Sequence, residues 1–409
     1  MRKAYRLQLG LLALLLLPGS LRSQDTVRVR ADNAPLWGER PALIPELRLG
    51  SIEGSAEEAF GRIVGVVVGR EGEIVIADSQ GPSLRVFDAT GAFVRNLGRP
   101  GEGPGEYRRI LAIQSLPSGA VAVWDPGNQR VSTFDIDGFF RGSVRAASGL
   151  YTADPFRVDS AGNFYVKAIR AGARGGIGVE SAKVWLRIAP NGVLLDSIPI
   201  PMARQAGVSA ILMTPAGERG PFVREIVSTR SPLGYEVRGH TGRLAFDRTL
   251  RDGRVLRVER SFRAVPVNPE ERAQWQAFLE AAAQFGGSSA GIMMPVPSRK
   301  PAFRQIWVDA DGRVWLSRYV EAVYQRRRPE EREGGQGPPP IDWIERPTWD
   351  VFDPRGTFLG TVLAPERGIP MVAIGDRVWF LEQGEFGENY VTRYRIEGAT
   401  APVGGSAFP

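Results

Sequence analysis

Followed through its apolar and polar positions, the chain falls into short bursts of Val, Ile, Phe, Tyr and Trp separated by glycine turns. This pattern predicts strands, because almost no apolar set recurs at helical spacing. The stretch Gly72–Tyr107 shows the unit best: EIVIADS, LRVFDAT, a turn at Gly91, AFVRNL, then a Gly/Pro loop, LGRPGEGPGEY. With GRIVGVVV (Gly61–Val68) in front, it becomes four strands, a to d, with Gly72 in the a–b turn and Gly91 in the c–d turn. A second unit follows as RILAIQS, Gly119, AVAVWD, RVSTFD, Gly138 and FFRGSV. In both, 19 residues separate the two turn glycines. A third unit has FRVDS, Gly162, NFYVKA, VWLRIA, Asn191-Gly192 and VLLDSI, and Asn-Gly is a strong hairpin signal. The same 19-residue spacing, from Gly234 to Gly253, selects Gly234 over Gly242 as the first turn of the fourth unit. A fifth unit runs FRQIWVDA, Gly312, RVWLSR, WDVFD, Gly356 and TFLGTV. The sixth has PMVAI, Gly375, RVWFLE and NYVTRYRI, and lacks a strand d.

The missing strand is expected at the other end of the chain. Pro45–Val66 (PELRLGSIEGSAEEAFGRIVGV) matches Phe93–Ile113 (FVRNLGRPGEGPGEYRRILAI): a strand ending Leu-Gly, a Gly-containing loop, an aromatic, an Arg and an apolar strand a. Residues 46–50 therefore read as a strand d without its own a, b and c, supplied to the last blade. Ring closure of this kind protects sheet edges. The predicted fold is all-β: a six-bladed β-propeller closed by an N-terminal strand, with one helical insertion between blades four and five. The expected boundaries are a signal peptide over 1–23, an N-terminal segment over 24–45, the propeller over 46–397 and a tail over 398–409. Insertions fall at 167–182, 201–220, 262–302 and 319–348.

Every insertion is a b–c or d–a connection. Antiparallel strands put those connections at one end of the disc and the a–b and c–d turns at the other. One face is thus trimmed and the other elaborated, and loops on a rigid scaffold are where binding sits. The insertion over 262–302 holds the one convincing helix. Asn268 is a natural N-cap, Pro269 suits the first turn and Glu271 has capping-box spacing. Trp275, Phe278, Leu279 and Ala282 form its apolar face, and Gly286-Gly287 ends it.

Composition narrows the function classes. Arg2, Lys3 and Arg6 precede the apolar run Leu9–Leu17 and a small-residue exit near Ser23, the form of a secretory signal. The run is too short for a bilayer span, although a retained anchor is the competing reading. Residues 1–23 carry four cations and no acid, so removing them lowers the formal net charge from +7 by four, to about +3. The remaining arginines are interspersed with acids, which is no nucleic-acid footprint. There is no cysteine, which removes disulfides, thiolate metal sites, cysteine nucleophiles and lipid-modified N-terminal cysteine together. The expectation is an exported monomer, periplasmic or extracellular, with no membrane span after processing.

IVIADSQGPSLRVFDATGAFVRNLG and VAVWDPGNQRVSTFDIDG resemble NHL-type propeller repeats, with their strand–Asp–turn–Arg–apolar–Phe–Asp–Gly order. LGRPGEGPGEY resembles the interblade loop of bacterial exported six-bladed propellers. The resemblance implies fold more than function, since propellers host unrelated activities. It also carries a second reading: a calcium-dependent hydrolase of the lactonase type, its metal held by dispersed Glu, Asn and Asp. The single histidine, His240, leaves no His-rich zinc site and so no amidating-lyase chemistry.

The first reading is a non-catalytic propeller, without cofactor, binding a partner protein or an anionic small molecule on its elaborated face. Arg62, Arg109 and Arg224 each lie ten residues before the first turn glycine, and Arg304 lies eight before Gly312. Strand a lines the central channel, so these four place guanidinium groups at its mouth, suited to carboxylates or phosphates. Interblade ion pairs would use the same residues. Asp78 and Asp125, which end strand b, are expected to bond their own turns. Gly287-Ser288-Ser289-Ala290-Gly291 formally matches a nucleophile elbow, but a helix precedes it and no Ser–His pair is available. Asp135-Ile136-Asp137-Gly138 and Asp309-Ala310-Asp311-Gly312 are turn fragments rather than calcium loops. Trp124, Trp185, Trp315 and Trp379, placed on second strands, are expected to pack between blades.

Overall fold

The computed structural model describes residues 25–51, 53–145, 150–151, 156–170, 182–200, 221–250, 252–285, 295–326 and 340–399. The signal peptide, the insertion over 201–220, Gly286-Gly287, the Gly287–Gly291 motif and residues 400–409 lie outside them.

The fold is an all-β, six-bladed propeller with a single helix between blades. Blade one is Ile63–Val68, Ile74–Asp78, Ser83–Phe87 and Phe93–Asn96, paired in that order. Blade two is Ala112–Ser115, Val121–Asp125, Arg130–Phe134 and Phe140–Arg145. In blade three two short inner strands, Leu150–Tyr151 and Arg157–Val158, both pair with Phe164–Arg170, followed by Ala182–Ile188 and Leu194–Pro199. Strand b there runs on to Arg170, so extra chain from Lys167 begins as strand. Blade four is Ile226–Arg230, Glu236–His240, Ala245–Thr249 and Val255–Glu259, with Gly234 in its first turn. Blade five is Phe303–Val308, Val314–Arg318, Thr348–Phe352 and Phe358–Leu363. Its b–c connection carries a small hairpin, Val323–Tyr324 against Trp343–Ile344.

The trimmed face is built from one device. In turn after turn the glycine N–H donates to the carbonyl three residues back, as in Gly91 to Asp88 (3.0 Å), Gly138 to Asp135 (3.0 Å) and Gly234 to Ser231 (2.9 Å). The turn glycines Gly72, Gly91, Gly119, Gly138 and Gly234 sit at φ between 90° and 100°, where a side chain is strained. The Asp135 and Asp309 motifs are such turns.

Blade six is Ile369–Ile374, Arg377–Gln383 and Asn389–Ile396, completed by Leu43–Leu49 antiparallel to Asn389–Ile396. The closing strand begins at Leu43, ahead of Glu46. The residues before it are also ordered on the ring. Thr26–Arg30 adds in parallel to Val255–Glu259 of blade four. Asn33 then bonds Phe358 through both its amide atoms, and the Trp37 N–H donates to Leu359 O at 2.7 Å. The segment before the closing strand is thus a belt along the outer edges of blades four and five, leading into the closure of blade six. The pairing of Thr26–Arg30 depends on a partner some 230 residues away (Arg30 with Glu259), which no local pattern encodes.

The core lies between blades. Val67, Val86, Ile110 and Phe134 fill the layer between blades one and two, and Trp37, Trp315, Trp349 and Phe380 the layer between five and six. Trp124, Trp185, Trp315 and Trp379 are all buried, and Trp185 belongs to the third strand of its blade. Helix α1 (Pro269–Phe285) starts as the sequence predicts, with Asn268 Oδ1 accepting the Glu270 N–H at 2.9 Å. Glu271 makes no capping box, because its carboxylate is buried against Lys300. Leu279, Trp275 and Phe278 pack on Phe222, Val296 and Tyr319, covering the elaborated face of blades four and five.

Two measurements test this account. Leu49→Ala, in the buried layer between blades six and one, should cost about 2–5 kcal/mol in denaturant unfolding. A chain beginning after Leu49 should lose its single cooperative transition, and an unchanged midpoint would contradict ring closure. Separately, burial pushes the Asp309 carboxyl up to about 6, although Arg313 Nε (2.6 Å) and Trp315 Nε1 (2.8 Å) donate to it. A carboxyl raised in the folded state keeps a proton that the unfolded chain releases. Its contribution therefore falls as pH rises from about 4 to about 6 and is flat above that. Relative to Asp309→Asn, the native chain should gain stability as pH is lowered through this window; a constant difference would overturn the assignment.

Candidate functional site at the channel mouth

Strand b of blade one ends at Asp78, whose side chain is buried. Its Oδ2 accepts the Gly61 N–H at 2.8 Å, and its Oδ1 accepts those of Arg62 (2.9 Å) and Gln80 (3.0 Å). Blade two repeats the bonds to the incoming strand and holds its own turn one residue further on. Asp125 Oδ2 accepts from Arg108 N (2.9 Å) and Oδ1 from Arg109 N (3.1 Å) and Asn128 N (3.2 Å). Each carboxylate thus bonds its own turn, as expected, and also the two residues that lead into strand a. An arginine of strand c takes the carbonyls of the same connection. Arg85 Nη1 donates to Glu57 O (3.0 Å) and Ala59 O (2.6 Å), and Arg130 Nη2 to Gly103 O (2.6 Å) and Glu106 O (2.8 Å). In blade four Thr241 stands in, its Oγ1 accepting Glu225 N at 2.9 Å. The Asp-to-Arg spacing seen in the sequence is a clasp on the d–a connection.

The clasp fixes Arg62 and Arg109 by their own amides in equivalent positions on adjacent blades. The innermost strands of blades one and two approach so closely that a Cβ on Gly65 would lie 2.6 Å from Ile113 Cγ1. Both arginine side chains are exposed. Among the described residues neither guanidinium has a hydrogen-bond or ion-pair partner. Arg224 is exposed at the same end of blade four. Arg304, on blade five, is engaged: its Nη2 pairs with Glu345 Oε2 at 2.6 Å, and its guanidinium lies 4.2 Å above the Tyr319 ring. Arg304 is thus held within its own blade, by the connection that follows the second strand of blade five.

Glu345 belongs to a network the sequence did not reveal. Its Oε1 lies 3.1 Å from Lys300 Nζ, which also meets Glu271 Oε1 at 2.8 Å and donates to Val320 O at 3.2 Å. Lys300 is fully buried, and these bonds tie helix α1 to blade five. Its partners are 29 and 45 residues away, beyond any local spacing rule.

Elsewhere the chemistry is thinner. A cleft of about 480 Å³ opens on the trimmed side between blades two and three, but Arg141, its one charged lining residue, is paired with Asp135. His240 Nδ1 accepts the Gly242 N–H. Among the described residues, no three His, Cys, Asp or Glu side chains are grouped to hold a metal ion.

A family profile described as a 6-bladed beta-propeller (DUF5128) matches residues 54–153, from the approach to blade one to the entry of blade three. No curated protein matches the chain. Solved structures are similar at low identity. A member of the DUF4221 family from Bacteroides vulgatus is 10% identical over 87% of this chain and 97% of its own, with a TM-score of 0.49. A Bacteroides fragilis protein taken to be exported is 12% identical over 91% and 99%, with a TM-score of 0.47. Virginiamycin B lyase from Staphylococcus aureus is 9% identical over 86% and 98%, with a TM-score of 0.38. At these values the fold rests on the matched blades and the sheet topology.

If the clasp holds the connections, Asp125→Ala leaves buried amides unsatisfied and should cost about 2–4 kcal/mol, with Asp125→Asn intermediate. A loss below about 1 kcal/mol in equilibrium unfolding would show that the carboxylate is dispensable.

Proposed function

We propose that the protein is an exported, non-catalytic propeller of the NHL type that binds an anionic ligand or partner protein through its elaborated face. The observation carrying this reading is the pair of exposed guanidinium groups of Arg62 and Arg109 on neighbouring blades, without a partner among the described residues. Guanidinium is a planar donor fork that stays charged at any working pH and matches carboxylate and phosphate oxygens. The clasps fix the backbone from which both forks project, so only the side chains need to be ordered on binding. Arg224 lies at the same end of blade four, while Arg304 supports the loops through Glu345. The trimmed face, with its tight turns, is the scaffold. No helix among the described residues is long and apolar enough to cross a membrane. Export, a monomeric state and the absence of a cofactor belong to the same proposal. The calcium-dependent hydrolase reading draws on resemblance alone, and one Ca²⁺ per chain with destabilisation by EDTA would favour it.

Thermal unfolding with inorganic phosphate and with succinate tests the reading. A ligand that binds only the folded state raises its unfolding temperature. At least one of the two anions should do so, less at high salt, and the rise should vanish in Arg62→Ala/Arg109→Ala. Equal shifts in the double variant, or none in the native chain, would overturn it.

A further inference from the structure

On blade six, which adjoins the blade of Arg62, two large apolar side chains are exposed among the charged Glu366, Arg367 and Glu385. Ile369 opens the innermost strand of blade six and is 56% exposed. That strand lies against Ile63–Val68 of blade one, so Ile369 and Arg62 occupy the same end of adjacent innermost strands. Phe386, 83% exposed, stands on the b–c turn of the same blade. The turn is stiff: Phe386 N donates to Glu388 Oε2 (2.9 Å), Gly387 N to Gly384 O (3.3 Å), and Tyr390 Oη to Glu388 Oε1 (2.9 Å). Its base is tied to the arginine side of the mouth, since Asn389 Nδ2 donates to Gly61 O at 2.7 Å, one residue before Arg62. Single exposed apolar side chains are ordinary on any surface. Here an isoleucine and a phenyl ring, the latter on a hydrogen-bonded turn, stand on the blade next to the one that carries Arg62, with Arg109 on the blade beyond, and Glu388 is occupied by local bonds.

From this juxtaposition we infer that the mouth takes amphiphilic carboxylates: an anionic head on Arg62 and Arg109 with an alkyl or aromatic tail over Ile369 and Phe386. The inference rests on the anion-binding reading above and adds the chemical class of ligand. A head alone meets exposed, screened charge; a tail adds burial of surface that is otherwise wet on both partners.

Calorimetric titration with straight-chain carboxylates from butanoate to decanoate, each below its micellar concentration, tests it on the full chain. Affinity should rise roughly two- to fourfold per methylene. In Ile369→Ser/Phe386→Ser, both at exposed positions, that increment should disappear while butanoate affinity stays. Arg62→Ala/Arg109→Ala should weaken the whole series, and an alkyltrimethylammonium of matching length should not bind. Three results would overturn the inference: an affinity independent of tail length, a tail increment that survives the Ile369/Phe386 variant, or equal binding of the cation. A flat affinity that Arg62→Ala/Arg109→Ala abolishes would leave the anion reading standing and remove this one. No binding of any member would remove both.

Discussion

A connection that enters a propeller's innermost strand must satisfy its backbone without a neighbouring strand, and buried unpaired amides are costly. Asp78 and Asp125 meet that constraint. Each carboxylate ends strand b and takes two successive N–H groups from the chain entering strand a. Arg85 and Arg130 take the carbonyls of the same connections. In blades one and two, one acidic and one basic side chain thus convert an irregular loop into a fixed element. Because two of the clasped amides are those of Arg62 and Arg109, the groups that hold the loops also fix the backbone from which these arginines project.

The two faces follow from where such support is needed. At the trimmed face a local glycine bond closes most hairpins, and in blade six the Gly375 N–H donates instead to Asp311 of blade five. At the elaborated face long connections need partners from other elements: Lys300 and Glu345 beneath helix α1, and Phe222 and Tyr319 against it. The outer edges of blades four and five are met by the N-terminal belt, and blade six by the strand Leu43–Leu49. The same chain end that closes the ring also covers its neighbouring edges, which are otherwise open templates for pairing.

Much of the fold was legible because glycine turns recur at fixed spacing: Gly234 was located by its 19-residue distance from Gly253, and the closing strand by its Leu-Gly loop. Thr26–Arg30 was not legible, since its partner is distant and its pairing is parallel. At the site, the strand-start arginines stood out by position. Their fates did not, because Arg304 is engaged by Glu345, 41 residues on, and by the Tyr319 ring, which only the fold brings to it. The acidic residue of the Asp–Arg pattern read as turn chemistry, and its turn bond is present. The larger share of its work is on a connection 16 and 17 residues earlier, which requires the blade to be built first.

Amide hydrogen exchange resolved to single residues tests the central claim most directly. If the buried carboxylates fix the entry to the innermost strands, Gly61, Arg62, Arg108 and Arg109 will exchange as slowly as the strand amides of blades one and two. Exchange of these four amides at the rate of freely solvated loop residues would contradict the account.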